Sequence, residues 1–181
     1  MACSRCPLSQ SRRRIVKGRG TTPCRVLFIG EAPGKSEDLR GVAFIGRAGR
    51  LLDRGIAAAV RIAGIQVAPP YWITNVCCCR PTDEKGGNRE PTPEEAASCL
   101  PRLEIEFIAV GSPREVVFLG EVSRRFARKL FPAGTALRHP AFILRRGGAE
   151  SSEFFAFVRD LSEVFIRATP PVRRLRRMLC G

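Results

Sequence analysis

CRVLFIGEAPGKSEDLRG, residues 24–41, decides the fold. Val26 to Ile29 form a short run that is apolar without alternation and stops at Gly30. Such a run reads as a strand buried on both faces. The turn formers after it, between Gly30 and Gly41, read as a loop. RAGRLLDRGIAAAVRIAGI, residues 47–65, then places Leu51, Leu52, Ile56, Ala59, Val60 and Ala63 at helical intervals. This predicts a helix packed on a sheet and ending near Gly64.

Outward from this unit the alternation repeats. YWITNV (71–76) and EVVFLG (115–120) are the second and third predicted strands, and ALRHPAFILRR (136–146) holds a short fourth. Between and after them lie three helices. One starts at Thr92, where Thr92 can cap, Pro93 suits the first position and Glu95 sits three residues on. A basic helix spans about 121–131, and an amphipathic one spans 151–168. Strands alternating with helices predict an open parallel α/β sheet, with functional loops beyond the carboxyl ends of its strands. No repeat or linker divides the chain, so a single domain is expected over 1–168, followed by a basic tail over 169–181.

With 31 Lys and Arg against 17 Asp and Glu, the 181-residue chain carries a formal charge of +14. That excess favours an anionic partner, either nucleic acid or an acidic membrane surface. No run of eighteen apolar residues is present to span a bilayer. The start, MACSRCPLSQSRRR, has no apolar leader, so a cytoplasmic setting is expected. In such a reducing compartment clustered cysteines point to metal rather than disulfides. Cys3 and Cys6 form a CxxC pair, Cys77 to Cys79 a triple run, and Cys99 follows. Four thiolates drawn from these can hold zinc or an iron–sulfur cluster, and the spacing does not separate the two.

Taken together, GEAPGKSEDLRGVAFIGRAGRLL (30–52), ITNVCCCRP (73–81), NREPTPEE (88–95) with Cys99, RHP (138–140) and the amino-terminal CPLSQSR resemble the fourth-family uracil-DNA glycosylases. The pieces keep the family order up to residue 145. The resemblance implies a three-layer α/β/α sandwich around a central four-stranded parallel sheet, a [4Fe–4S] cluster and monofunctional removal of uracil from DNA in base excision repair. It assigns the cluster ligands to Cys3, Cys6, Cys79 and Cys99, because the third family cysteine directly precedes Arg-Pro. Phe44 is implied as the ring that stacks on the base, Asn75 as the amide that reads it, and His139 as the donor to the charge growing on uracil O2. Glu31 of the GEAPG signature and Asp38 are expected to orient water or hold the loop. Gly30 offers a backbone contact, and Asn88 steadies or reaches the pocket.

Ala32 occupies the slot where related families place a water-activating aspartate, so a strong general base is not expected there. Arg80, Arg89, Arg138, Arg145 and Arg146 flank these loops and are expected to meet DNA phosphates. Uracil-containing DNA is the implied partner of a monomer without membrane attachment, in the cytoplasm and on the nucleoid. The tail is open to DNA, a sliding clamp or neither. Ala43, Cys78 and Ala141 depart from the family pattern, and so does the long DEKGG insertion. They leave open a broader deaminated-base range and a non-catalytic Fe–S DNA-binding protein as alternatives. A nucleotide-binding redox protein is the weaker rival, since the first glycine loop is not GxGxxG.

Overall fold

A computed structural model describes residues 3–170, and the expected tail from 171 onward lies outside the described residues. The strands are β1 (Arg19–Gly20), β2 (Val26–Gly30), β3 (Tyr71–Asn75), β4 (Glu115–Leu119) and β5 (Thr135–Leu137). They form one sheet in the order β1-β3-β2-β4-β5. β3, β2, β4 and β5 run parallel, and β1 pairs antiparallel with β3 through Arg19↔Ile73 and Gly20↔Trp72. The four-stranded parallel sheet therefore gains a fifth, edge strand. Two residues carry too little pattern for periodicity to find them.

β2 is central and wholly buried. Its alternate residues feed two cores. Val26 and Phe28 join one core with Leu52, Ile56 and Ala59 of α3 (Arg47–Ile62) and Phe157, Leu161 and Phe165 of α7 (Ser152–Ala168). Leu27 and Ile29 join the other, with Ala96 and Leu103 of α4 (Pro93–Ala109) and Ala127 at the end of α5 (Glu121–Ala127). Burial of a strand on both faces is what its unbroken apolar run requires, and the result is the expected α/β/α layering.

Three short α-helices and a 3-10 turn at Gly148–Glu150 complete the described residues: α1 (Leu8–Ser11), α2 (Lys35–Arg40) and α6 (Pro140–Arg145). α2 lies in the stretch read as loop. It lasts six residues and closes on Gly41 at φ 77°, the left-handed stop that glycine permits. α6 takes up the PAFILR stretch, and the fourth strand is Thr135–Leu137.

The predicted start of α4 is formed as a reciprocal capping box, in which Thr92 Oγ1 accepts from the Glu95 N–H and the Glu95 carboxylate accepts from the Thr92 N–H. Arg89 adds two charged bonds to the same carboxylate, at 2.8 and 2.7 Å. Thr92→Ala is expected to lower the unfolding free energy by about 1 kcal/mol, read from denaturant midpoints. An unchanged midpoint would show that Arg89 alone holds this helix start.

Candidate active site

The carboxyl ends of β2 and β3 lie side by side, with Gly30 opposite Asn75 in register. A Cβ at residue 30 would stand 2.4 Å from Asn75 Oδ1 and 2.5 Å from the Phe44 ring. Glycine at this position lets the amide and the ring close over the strand end. Asn75 is buried, and its Oδ1 has no hydrogen-bond partner among the described protein residues. An unpaired buried polar oxygen costs about 1–3 kcal/mol, which a ligand can relieve.

Phe44 takes φ 53°, a left-handed conformation that a bulky side chain rarely adopts. Its neighbours impose it. Arg19 donates to the carbonyls of Ala43 and Phe44, both at 3.0 Å. Glu37 Oε1 accepts from the N–H groups of Ile45 and Gly46 at 3.0 and 2.7 Å. Gly49 of α3 packs so closely that a Cβ there would meet the Phe44 carbonyl oxygen at 1.8 Å. Strain held this firmly by several independent contacts is typical of binding sites.

His139 caps α6, and its Nδ1 accepts from the Ala141 N–H at 3.0 Å. That bond leaves the proton on Nε2, so the ring keeps a donor. Burial, aided by the charge of Arg145, lowers its pKa from 6.5 to about 4. The imidazole is therefore neutral at neutral pH. Its ring lies 6.1 Å from that of Phe44, centroid to centroid.

Asn75, Phe44, His139 and Asn88 line one cavity of about 310 Å³. Sequence reasoning had singled out each of the four, and the fold gathers them from four separate loops or strand ends. It missed Lys35 and Arg47, which also line the cavity from the first positions of α2 and α3. The readable signal was a glycine followed at once by a cation, Gly34-Lys35 and Gly46-Arg47.

Other expected residues sit elsewhere. Asp38 does not line the cavity. It is buried, and its Oδ1 accepts from the N–H groups of Arg13 and Arg14, so it holds the backbone of the amino-terminal segment. The Arg89 guanidinium bonds to Glu95 and to the carbonyls of Thr82 and Glu90. Arg80 holds the 82–88 loop by donating to Asn88 Oδ1 at 2.6 Å and to the Gly86 carbonyl. Arg138 pairs with Glu153 at 2.7 Å, and Arg138 and Arg146 both lie over the Phe142 ring. Arg145 and Arg146 are exposed. Glu31 follows β2 without lining the cavity. Burial raises its pKa to about 7, with the Glu90 charge adding to the rise and Arg125 opposing it.

A second cavity, of about 710 Å³, is lined by Cys3, Cys6, Cys78, Cys79 and Cys99. Arg12 crosses its wall, donating to Cys79 Sγ at 3.4 Å and to the Cys3 carbonyl at 2.7 Å. Cys77 is buried outside this lining. Among the described residues no three His, Cys, Asp or Glu side chains converge tightly enough for a single ion. Thiols spread around a cavity suit a multi-iron cluster, which stands between its ligands.

Residues 18–162 match the Uracil DNA glycosylase superfamily. The chain belongs to this superfamily. Among its relatives, a type-4 uracil-DNA glycosylase of Archaeoglobus fulgidus is 38% identical over 131 residues, 72% of this chain and 61% of that protein. Proteins of the same name from Pyrobaculum aerophilum and Thermotoga maritima are 39% and 41% identical, over 71% and 68% of this chain and 60% and 59% of theirs. The match thus spans about three-fifths of the length of these relatives. Among the described residues, no helix is long and apolar enough to cross a membrane.

His139 is the only histidine, so its imidazole gives a single proton NMR signal to titrate. Its depressed pKa favours the neutral ring in the folded state. This stability is present above the unfolded value near 6.5 and is lost as pH falls through about 4. The signal is expected to titrate near 4; a midpoint near 6.5 would show a solvated ring without the burial described.

Proposed function

We propose that this chain is a monofunctional uracil-DNA glycosylase of the type-4 kind, hydrolysing the N-glycosidic bond of uracil in DNA and starting base excision repair. The observation that carries the reading is the buried, unpaired amide oxygen of Asn75 inside a cavity shared with Phe44 and His139. A base reaches such a cavity only when its nucleotide turns out of the stack. The Phe44 ring stacks on it. The Asn75 amide donates to O4 and accepts from N3–H, and cytosine presents the reverse pattern, leaving buried polar groups unpaired.

As the glycosidic bond breaks, negative charge grows on the departing pyrimidine. His139 Nε2–H stabilises it at O2 as a neutral donor, with no proton to transfer. Ala32 supplies no base at the loop position beside Glu31. Electrostatic support of the uracil anion and of the cationic sugar therefore carries more of the barrier than water activation does. Lys35 and Arg47 at the cavity, with exposed Arg145 and Arg146 nearby, suit the flanking phosphates.

Cys3, Cys6, Cys79 and Cys99 fit a [4Fe–4S] cluster, since all four line one cavity; Cys78 lines it too, and the family order, in which the ligand directly precedes Arg-Pro, selects Cys79. These four thiolates would hold the cluster between the amino-terminal loop, the segment after β3 and α4, where its role would be structural. Hydrolysis of this bond needs no electron transfer. The protein acts on DNA as a monomer within one domain over 1–168, at the nucleoid.

Purified protein carrying iron and sulfide is expected to release uracil from a uracil-containing oligonucleotide in preference to hypoxanthine, xanthine or mismatched thymine. His139→Ala should slow single-turnover release by about 10²–10³-fold, as loss of an oxyanion donor does. Inertness toward the whole panel would favour a DNA-binding protein with an unused pocket, and a preference for another base would shift the substrate.

Glu31 is tested separately. Because its carboxyl ionises near pH 7, a charged role in orienting water predicts a rate that rises through that pH. Glu31→Gln should flatten the rise, and an unchanged profile would leave Glu31 as a loop holder.

A further inference from the structure

The Asn75 side chain has no bond of its own to fix Oδ1. Its aim is set by packing against Gly30 and Phe44 and by the main chain that carries it. The β2–β3 register ends at Gly30↔Asn75, and the two main-chain bonds beyond it, from Val76 and Cys77 to the Gly30 and Glu31 carbonyls, are the last on this side. The carbonyls of Asn75 and Val76 both receive Nη2 of Arg102, at 2.6 and 2.8 Å. Nη1 of the same guanidinium reaches Thr74 Oγ1 and the Glu106 carboxylate one helical turn on. Glu106 in turn accepts from Trp72 Nε1 and Thr74 Oγ1, both at 2.9 Å. One face of β3 is thus tied to α4 by an ionic network, while its other face presents Asn75 to the pocket. Arg102 and Glu106 also line the cysteine cavity, and Arg102 Nε is buried without a partner.

We propose that Arg102 is a positioning residue for base recognition, fixing the main chain at Asn75 and Val76 from the wall of the cysteine cavity. The inference rests on the uracil reading of the pocket. A planar fork can hold two successive carbonyls and a carboxylate at once, which a lysine ammonium cannot match. Arg102 never touches the base; it acts by holding the residue that does. Its position on α4, three residues after Cys99, places the base reader and a thiol of the second cavity on one rigid support.

The test compares Arg102→Met, Arg102→Lys and Glu106→Gln with the wild-type protein, each isolated with its iron. Four quantities are read: single-turnover uracil release, inhibition by free uracil, affinity for DNA containing an abasic site, and hydrogen exchange at two amides. Those amides are Val76 and Cys77, which donate to the carbonyls of Gly30 and Glu31. Arg102→Met should release uracil about ten- to a hundredfold more slowly, the scale of a misplaced contact. It should bind free uracil more weakly and exchange both amides faster, with abasic-DNA affinity and iron content unchanged. Arg102→Lys should recover part of the loss, and Glu106→Gln should show a milder form of it.

Unchanged exchange and uracil inhibition in Arg102→Met would overturn the proposal. So would parallel falls in iron content and abasic-DNA affinity, which mark a merely structural role. If Arg102→Met does not fold, the same outcomes are read from the other two variants. A wild-type protein inert toward uracil-DNA would overturn the uracil reading instead, and the exchange arm would still decide whether Arg102 holds Asn75.

Discussion

A side chain at residue 30 would displace the Asn75 amide and the Phe44 ring, which already fill the space where its Cβ would stand. This contact at the end of β2 organises the rest of the site. The central strand delivers Gly30, its parallel neighbour delivers Asn75 in register, and the loop between α2 and α3 must fold back to bring Phe44 over both. A side chain at 30 would part the ring from the amide, leaving no slot into which a flat heterocycle could enter beside a polar edge.

The geometry of that loop explains several residues outside the cavity chemistry. Phe44 is held in a left-handed conformation by Arg19 from β1, by Glu37 from α2 and by the bare backbone at Gly49 of α3. β1 is only two residues long. Its position is nonetheless what lets Arg19 reach the Ala43 and Phe44 carbonyls, and Asp53 at 2.7 Å orients the same guanidinium. An edge strand that adds little to the sheet therefore matters to the pocket.

The layered α/β fold was legible from the sequence because β2, β3 and β4 are short apolar runs and α3 and α7 have clear helical spacing. What escaped were elements too short for any period to register, namely β1, α2 and α6. The pocket residues Phe44, Asn75, His139 and Asn88 were legible only as a set, through a resemblance spread over much of the chain. Taken singly, each has an ordinary structural reading. Asp38 and Arg89 show what spacing leaves out. Asp38 was expected to orient water or hold the loop and Arg89 to meet phosphate; the structure gives the first two backbone N–H groups and locks the second to Glu95. Spacing does not tell whether a charged group has an internal partner, and for Arg102 that internal partner is the whole of its interest.

The pocket carries three costs at once: an unpaired amide oxygen, a strained phenylalanine and a histidine whose charged form burial disfavours. A site selected only for stability would relieve each of them, by an internal partner for Asn75, a glycine at 44 or a solvated ring at 139. Their coincidence around one cavity is physically informative, since strain and unmet polarity persist where a ligand or a reaction uses them. The rest of the molecule is built to tolerate them. β2 is buried along its whole length, both sheet faces are covered, and cation–carboxylate pairs tie down the segments flanking the pocket. A neutral, tautomer-fixed donor and an amide without a protein partner stand fixed in the same cavity. For the proposed glycosylase reaction little reorganisation would then remain, which is the condition under which fixed dipoles stabilise a departing anion most effectively.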